Sequence, residues 1–82
     1  MGSLAADLKT EREKRNVSLA RIAADTRISL HYLESLEDGR YGDLPGGMYN
    51  RAFLRAYCES LNLDQQQIMQ RYEGEIASPA EK

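Results

Sequence analysis

The 82-residue chain has little of the material from which covalent or metal cross-links are built. It contains one cysteine, Cys58, and one histidine, His31. Neither a disulfide framework nor a structural zinc site can be assembled from so few ligands. We therefore predict no metal site, and the lone thiol fits a reducing, cytoplasmic setting. A chain of this length must fold around one small apolar core.

Long apolar runs and catalytic motifs are also missing. No stretch approaches the ~20 apolar residues of a membrane span, and the sequence contains no apolar segment of the kind found in signal peptides. The sequence shows no Ser/His/Asp set, no Gly-rich phosphate loop and no carboxylate pair in an evident cleft. We expect a non-enzymatic protein without cofactor or small-molecule substrate. Any membrane attachment is expected from a downstream segment outside this chain.

Positive charge is not in excess. The formal net charge is −2, and residues 1–40 hold seven Lys or Arg against seven Asp or Glu. Affinity for nucleic acid comes largely from basic side chains that neutralise phosphates. This balance argues against tight autonomous binding to DNA and leaves weaker binding open.

What the sequence does contain is a repeated signal for helix starts. Ser18, Ser29 and Asp64 are N-cap residues, and each is flanked by apolar residues at the spacing of a hydrophobic staple. These staples pair Val17 with Ile22, Ile28 with Leu33, and Leu63 with Ile68. The pattern predicts an all-α domain over residues 1–73, followed by a polar tail at 74–82 that begins a linker. The predicted helices span about residues 4–15, 18–25, 29–38, 48–62 and 64–73.

The two short helices at 18–25 and 29–38 are joined by a tight turn, which is the shape of a helix-turn-helix. In the helix at 29–38, the spacing predicts that Leu30, Leu33 and Leu36 form a buried stripe. Before the helix at 18–25, Asn16 is expected to end the opening helix in a left-handed conformation.

One hypothesis is that this helix pair binds DNA. In such a motif, the outward residues at the start of the second helix contact base edges. None of those positions holds the Arg, Lys, Asn or Gln that pairs bidentately with guanine or adenine. The candidate set has Arg21 and Arg27 on phosphates, and these residues toward bases: Ser29, His31, Tyr32 and Ser35.

A second hypothesis is that the fourth helix binds a protein. Tyr49, Phe53 and Tyr57 recur every four residues and share one side of the helix. Tyr57 lies toward the core positions of that helix, so we interpret it first as a core residue, whereas core and interface roles stay open for Tyr49 and Phe53. Aromatic residues with Arg are enriched in protein-binding hot spots. The candidate protein-binding set is therefore Tyr49, Phe53, Tyr57, Arg51 and Arg55.

Nearly the whole chain, from Leu8 to Tyr72, resembles the N-terminal cytoplasmic domain of the RodZ family of bacterial cell-shape proteins. The most specific part is LPGGMYNRAFLRAYCESLNLD, because ordinary repressors of the Cro/CI-type helix-turn-helix superfamily lack this aromatic, Arg-bearing helix. Asn16 and Arg27 stand where Cro-type repressors often have Gly.

The resemblance implies a compact five-helix bundle that contains a Cro/CI-type helix-turn-helix used for protein contact. It implies docking on the actin-like filament protein MreB through Tyr49 and Phe53. It also implies a structural salt bridge between Arg12 and Glu37. The expected location is the cytoplasm, at the cytoplasmic face of the inner membrane in a longer parent protein.

Overall fold

The structure, a computed structural model, describes residues 3–77 and the side chains of residues 3–75. Within this part of the chain there are helices and no strand, which confirms the predicted all-α class. None of these helices has both the length and the apolar character needed to cross a bilayer. The helices are α1 (Leu4–Lys14), α2 (Leu19–Thr26), α3 (Leu30–Asp38), α4 (Gly47–Leu61) and α5 (Gln65–Ala77), with a short 3-10 turn (Tyr41–Asp43) before α4.

Helices α2 and α3 form the predicted helix-turn-helix. The Ser18 hydroxyl oxygen accepts from the backbone N–H of Arg21 at 3.0 Å, and the Ser29 hydroxyl oxygen accepts from that of His31 at 3.2 Å. Arg27 adopts the left-handed conformation (φ 63°) in the turn between them. These caps satisfy backbone N–H groups that a helix start leaves without partners.

The predicted left-handed residue after α1 is also present: Asn16 has φ 57°. Asn62, after α4, is left-handed as well (φ 59°), a reversal not predicted from the sequence. Helix α1 packs on α3 and α5, α2 packs on α3 and α4, and α4 packs on α5. Both members of each predicted staple lie in or against the single core. The buried core residues are Leu4, Leu8, Ile22, Ile28, Leu33, Leu36, Leu44, Leu54, Tyr57, Leu61 and Tyr72.

The prediction that Leu30 is buried is wrong. Leu33 and Leu36 are fully buried, but the side chain of Leu30 is 42% exposed. Leu30 is the first residue of α3. Glu37 lies two turns further along the same side of α3, and the side chain of Arg12 from α1 covers it. The periodicity of α3 is as expected, but the cover provided by its neighbours is not uniform along its length.

Helix α5 ends later than predicted. We expected a polar tail from Gly74, yet the helix continues to Ala77. The carboxylate of Glu75 accepts from the backbone N–H of Leu4 at 2.7 Å. A carboxylate is favoured at a helix N-terminus, and this contact offsets the low helix propensity of glycine. Residues 78–82 of the predicted tail lie outside the described part of the chain.

The predicted pair of Arg12 and Glu37 lies at the centre of the fold. Arg12 donates from Nε to Glu37 Oε2 at 2.6 Å and from a second guanidinium nitrogen to Oε1 at 3.1 Å. A third donation reaches the carbonyl oxygen of Val17 at 2.8 Å. The hydrogen bond to Glu37 raises the pKa of Arg12. The pair is thus bidentate and links α1, α3 and the start of the helix-turn-helix.

Candidate docking surface

The start of α4 carries the most exposed large apolar side chains in the described part of the chain. Met48 is 77% exposed and Tyr49 is 61% exposed. Phe53, one turn later on the same face, is partly buried, with its ring centroid 6.5 Å from that of Tyr49. A solvent-exposed tyrosine beside a half-buried aromatic ring is typical of a protein-binding surface.

The second helix of the helix-turn-helix extends this surface. Tyr32 of α3 stacks on Phe53, with 5.4 Å between ring centroids and 24° between ring planes. His31 lies 5.8 Å from Tyr32, centroid to centroid. We name the set His31, Tyr32, Tyr49 and Phe53 the aromatic strip. The two competing hypotheses assign these residues to different partners, whereas the structure brings them into one surface.

The strip has an ordered base. Tyr32 and Phe53 pack against the core from α3 and α4, and their rings support each other. Offset-stacked aromatic pairs contribute about 0.5–1.5 kcal/mol beyond the area they bury. Tyr49 therefore projects from a support that is already folded, so binding through it requires little ordering of the chain.

The two arginines of the predicted protein-binding set do not belong to the strip. Arg51 lies about 200° around the helix from Tyr49 and forms an ion pair with Glu73 of α5, with Nε–Oε2 at 3.2 Å. Arg55 is exposed and makes no ion pair within the described residues. It follows Met48 by seven residues, so it lies on the same face of α4. Arg55 thus lies on the Met48 side of α4, about 120° around the helix from Tyr49.

Tyr57 is a core residue. It is fully buried, and its hydroxyl donates to Glu37 Oε2 at 2.5 Å and lies 3.0 Å from the carbonyl oxygen of Leu8. Burial, followed by the hydrogen bond to Glu37, raises the pKa of Tyr57 above its usual range. Its inclusion in the candidate binding set is therefore wrong, because no partner reaches it while the domain is folded. The first interpretation of Tyr57 as a core residue agrees with its burial.

Most of the predicted DNA-reading set is engaged elsewhere. Ser35 is fully buried, since its side of α3 faces the core. The Ser29 hydroxyl caps α3, and Tyr32 is stacked on Phe53. Arg21 forms an exposed ion pair with Asp25 at 3.6 Å. Of the four residues expected to face bases, burial removes Ser35, while Ser29, His31 and Tyr32 keep exposed or partly exposed side chains.

Two exposed members of that set have side chains without a hydrogen bond or ion pair in the described part of the chain. His31 is exposed, and Arg27 is exposed without an ion pair in the described part of the chain. Glu34, also exposed on α3, would face phosphates. One histidine and one arginine beside an exposed carboxylate form a weak surface for a polyanion.

A buried polar contact at the start of α4 has no counterpart among the sequence predictions. Asn50 is 6% exposed, and its side-chain oxygen accepts from the backbone N–H of Gly46 at 2.9 Å. Its side-chain nitrogen donates to the Tyr72 hydroxyl at 3.2 Å. A signal was available in the sequence: Gly46 has no side chain to cap α4, so a polar residue one turn later can serve that helix start instead.

The unit of α2, a tight turn and α3 places this five-helix bundle in the helix-turn-helix class of proteins. Residues 7–68 match the helix-turn-helix domain family. The chain belongs to this family, and the resemblance to the RodZ-like domain is confirmed by the relatives described next.

Two curated relatives and one solved structure are similar to the chain. The "uncharacterized membrane protein YmfM" of Bacillus subtilis is 38% identical over 60 residues, which are 73% of this chain and 21% of the relative. The "cytoskeleton protein RodZ" of Streptococcus pneumoniae is 32% identical over 66 residues, 80% of this chain and 24% of the relative. The chain thus spans about a fifth to a quarter of the length of these proteins.

The solved structure is YmfM of Staphylococcus aureus, described as a candidate DNA-binding membrane protein. It superimposes with a TM-score of 0.82 at 26% identity, over 90% of each chain. This similarity confirms the helix-turn-helix fold.

Proposed function

We propose that this chain is a non-enzymatic protein-binding module of a RodZ-like cell-shape protein. It docks through the aromatic strip on the actin-like filament protein MreB. The observation that carries the proposal is Tyr49, which is exposed on the ordered support of Phe53 and Tyr32. The streptococcal relative, a cytoskeleton protein, supports a partner of this kind. The site of action is the cytoplasmic face of the membrane, within a longer parent protein.

The chemistry of the strip suits burial against a protein. A tyrosine offers a large apolar ring with a hydroxyl at its tip, and it loses little conformational entropy when a partner covers it. Met48 adds a flexible apolar side chain next to Tyr49, and Arg55 offers a free guanidinium on the same face as Met48. An apolar centre with a charged rim is the usual anatomy of a protein interface.

Co-sedimentation with MreB filaments tests the proposal. Replacing the exposed ring in Tyr49→Ala removes a hot-spot side chain worth about 2 kcal/mol, so affinity should fall by about thirtyfold. Because Tyr49 contributes little to the core, the thermal unfolding of the domain should be nearly unchanged.

A matched control is Gln66→Ala, which shortens an exposed side chain on α5, away from the strip. It should co-sediment like the wild type. Equal co-sedimentation of Tyr49→Ala and Gln66→Ala would show that the strip is not the docking surface.

A second candidate function is DNA binding, which the description of the staphylococcal structure favours. His31 and Arg27 are the residues free to serve it. Titration of duplex DNA at low salt separates the two functions, since binding through phosphates falls steeply as salt rises. We expect no saturable binding. A salt-dependent affinity that decreases in Arg27→Ala and survives in Tyr49→Ala would favour the DNA function instead.

A further inference from the structure

Helix α4 begins without a side-chain cap. Its N-cap residue, Gly46, has φ 105°, a conformation that side-chain-bearing residues rarely adopt. Both polar backbone groups of Gly46 are nevertheless held. Its N–H donates to the side-chain oxygen of Asn50 at 2.9 Å, and its carbonyl oxygen accepts from the N–H of Tyr49 at 3.1 Å. The first turn of α4, which presents Tyr49, therefore depends on Asn50.

Asn50 is in turn held from α5. Its side-chain nitrogen donates to the hydroxyl of Tyr72, and both residues are buried, at 6% and 3% exposure. The Tyr72 ring also packs edge-on against Tyr41, at 5.2 Å between centroids, in the turn that precedes α4. One residue of α5 thus contacts both the connection into α4 and the first turn of α4.

We propose that Asn50 and Tyr72 are positioning residues, which set the orientation of the first turn of α4 and so of Tyr49 in the aromatic strip. Neither reaches the surface, so they act through Gly46 and Tyr49. The effect on binding rests on the proposed function, but the effect on the first turn of α4 does not. The consequence is that a shift of α5 against the bundle changes the docking surface without a residue of α5 lying in it.

Amide hydrogen exchange of the full 82-residue chain tests the positioning directly. Tyr72→Phe keeps the ring and its packing on Tyr41 but removes the hydroxyl that Asn50 reaches. One hydrogen bond contributes about 0.5–1.5 kcal/mol, so exchange at the amides of Gly46 and Tyr49 should become about two- to tenfold faster. Exchange at the amide of Leu54, in the middle of α4, should be unchanged, because the loss is local.

The matched control is Tyr41→Phe. It removes a buried hydroxyl from the other ring of the same pair, and that hydroxyl has no hydrogen-bond partner within the described residues. Tyr41→Phe should leave exchange at Gly46 and Tyr49 as in the wild type. If Tyr72→Phe behaves like Tyr41→Phe at these two amides, the proposal is overturned.

Binding to MreB filaments is the second test of the positioning role. Tyr72→Phe should weaken co-sedimentation several-fold, and in the Tyr49→Ala background it should have no further effect, because it acts through Tyr49. Additive losses would overturn the positioning role. If the wild type does not bind filaments at all, the proposed function fails, and the exchange experiment alone decides on Asn50 and Tyr72.

Discussion

Removal of a single oxygen atom from the core, in Tyr57→Phe, should strongly destabilise this small domain. The Tyr57 hydroxyl donates to Glu37 Oε2 at 2.5 Å, beside the bidentate contact of that carboxylate with Arg12. The phenol is protonated at neutral pH, as in any tyrosine, and the raised pKa of Tyr57 keeps it a donor at alkaline pH as well. Phe has the same ring but leaves a buried carboxylate with one fewer donor.

The expected cost follows from the charge of the acceptor. Hydrogen bonds to charged groups contribute about 1.5–3 kcal/mol, and in a domain of this size 1 kcal/mol lowers the melting temperature by about 4–8 °C. Tyr57→Phe should therefore melt about 6–24 °C below the wild type. Thermal and urea unfolding, followed by far-UV circular dichroism at neutral pH, measure the melting temperature and the free energy of unfolding.

Tyr41→Phe is the matched control, because it removes a second buried hydroxyl that makes no hydrogen bond within the described residues. Loss of an unpaired polar group should leave the stability unchanged or slightly higher. If both variants lie within about 0.5 kcal/mol of the wild type, the Tyr57 hydroxyl does not support the ion pair and the reasoning is refuted.

Three further predictions concern burial and ionisation. The Cys58 thiol is fully buried, and burial raises its pKa to about 11, so a thiol reagent should label it in urea but not in the native protein. Burial raises the pKa of Tyr41 from 10.0 to about 12. Between pH 10 and 12, the Tyr41 phenol ionises in the unfolded chain but not in the folded domain. The free energy of unfolding should therefore fall over this range, and it should fall less in Tyr41→Phe. Leu33→Ala should lower the free energy of unfolding by about 2–5 kcal/mol and Leu30→Ala by under about 1 kcal/mol, as denaturant midpoints will show.

Features of the fold that depend on neighbouring residues in the chain could be predicted from the sequence. The caps at Ser18 and Ser29 and the left-handed Asn16 follow from local hydrogen bonding and backbone preference. The extension of α5 could not be predicted, since Glu75 meets its partner 71 positions away along the chain. The exposure of Leu30 likewise depends on which part of α3 its neighbours cover.

The residues of the aromatic strip could be proposed from the sequence, but the contacts between them could not. The spacing of Tyr49 and Phe53 shows that they share a face of α4. That His31 and Tyr32 extend the same surface depends on how α3 and α4 pack, which no local pattern reports. Asn50 and Tyr72 meet across 22 positions for the same reason.

The stack between Tyr32 and Phe53 bears on the choice between the two functions. A helix-turn-helix reads DNA by placing its second helix in the major groove, which is about 12 Å wide and accommodates one helix of about 10–12 Å in diameter. In this domain, Phe53 of α4 stacks on Tyr32, on one side of α3. His31 and Glu34 of α3 stay exposed beside this stack, and Tyr49 is exposed at the α4 end of the aromatic strip. This surface carries few free cations among the described residues, which supports the proposed contact with a protein over contact with a polyanion.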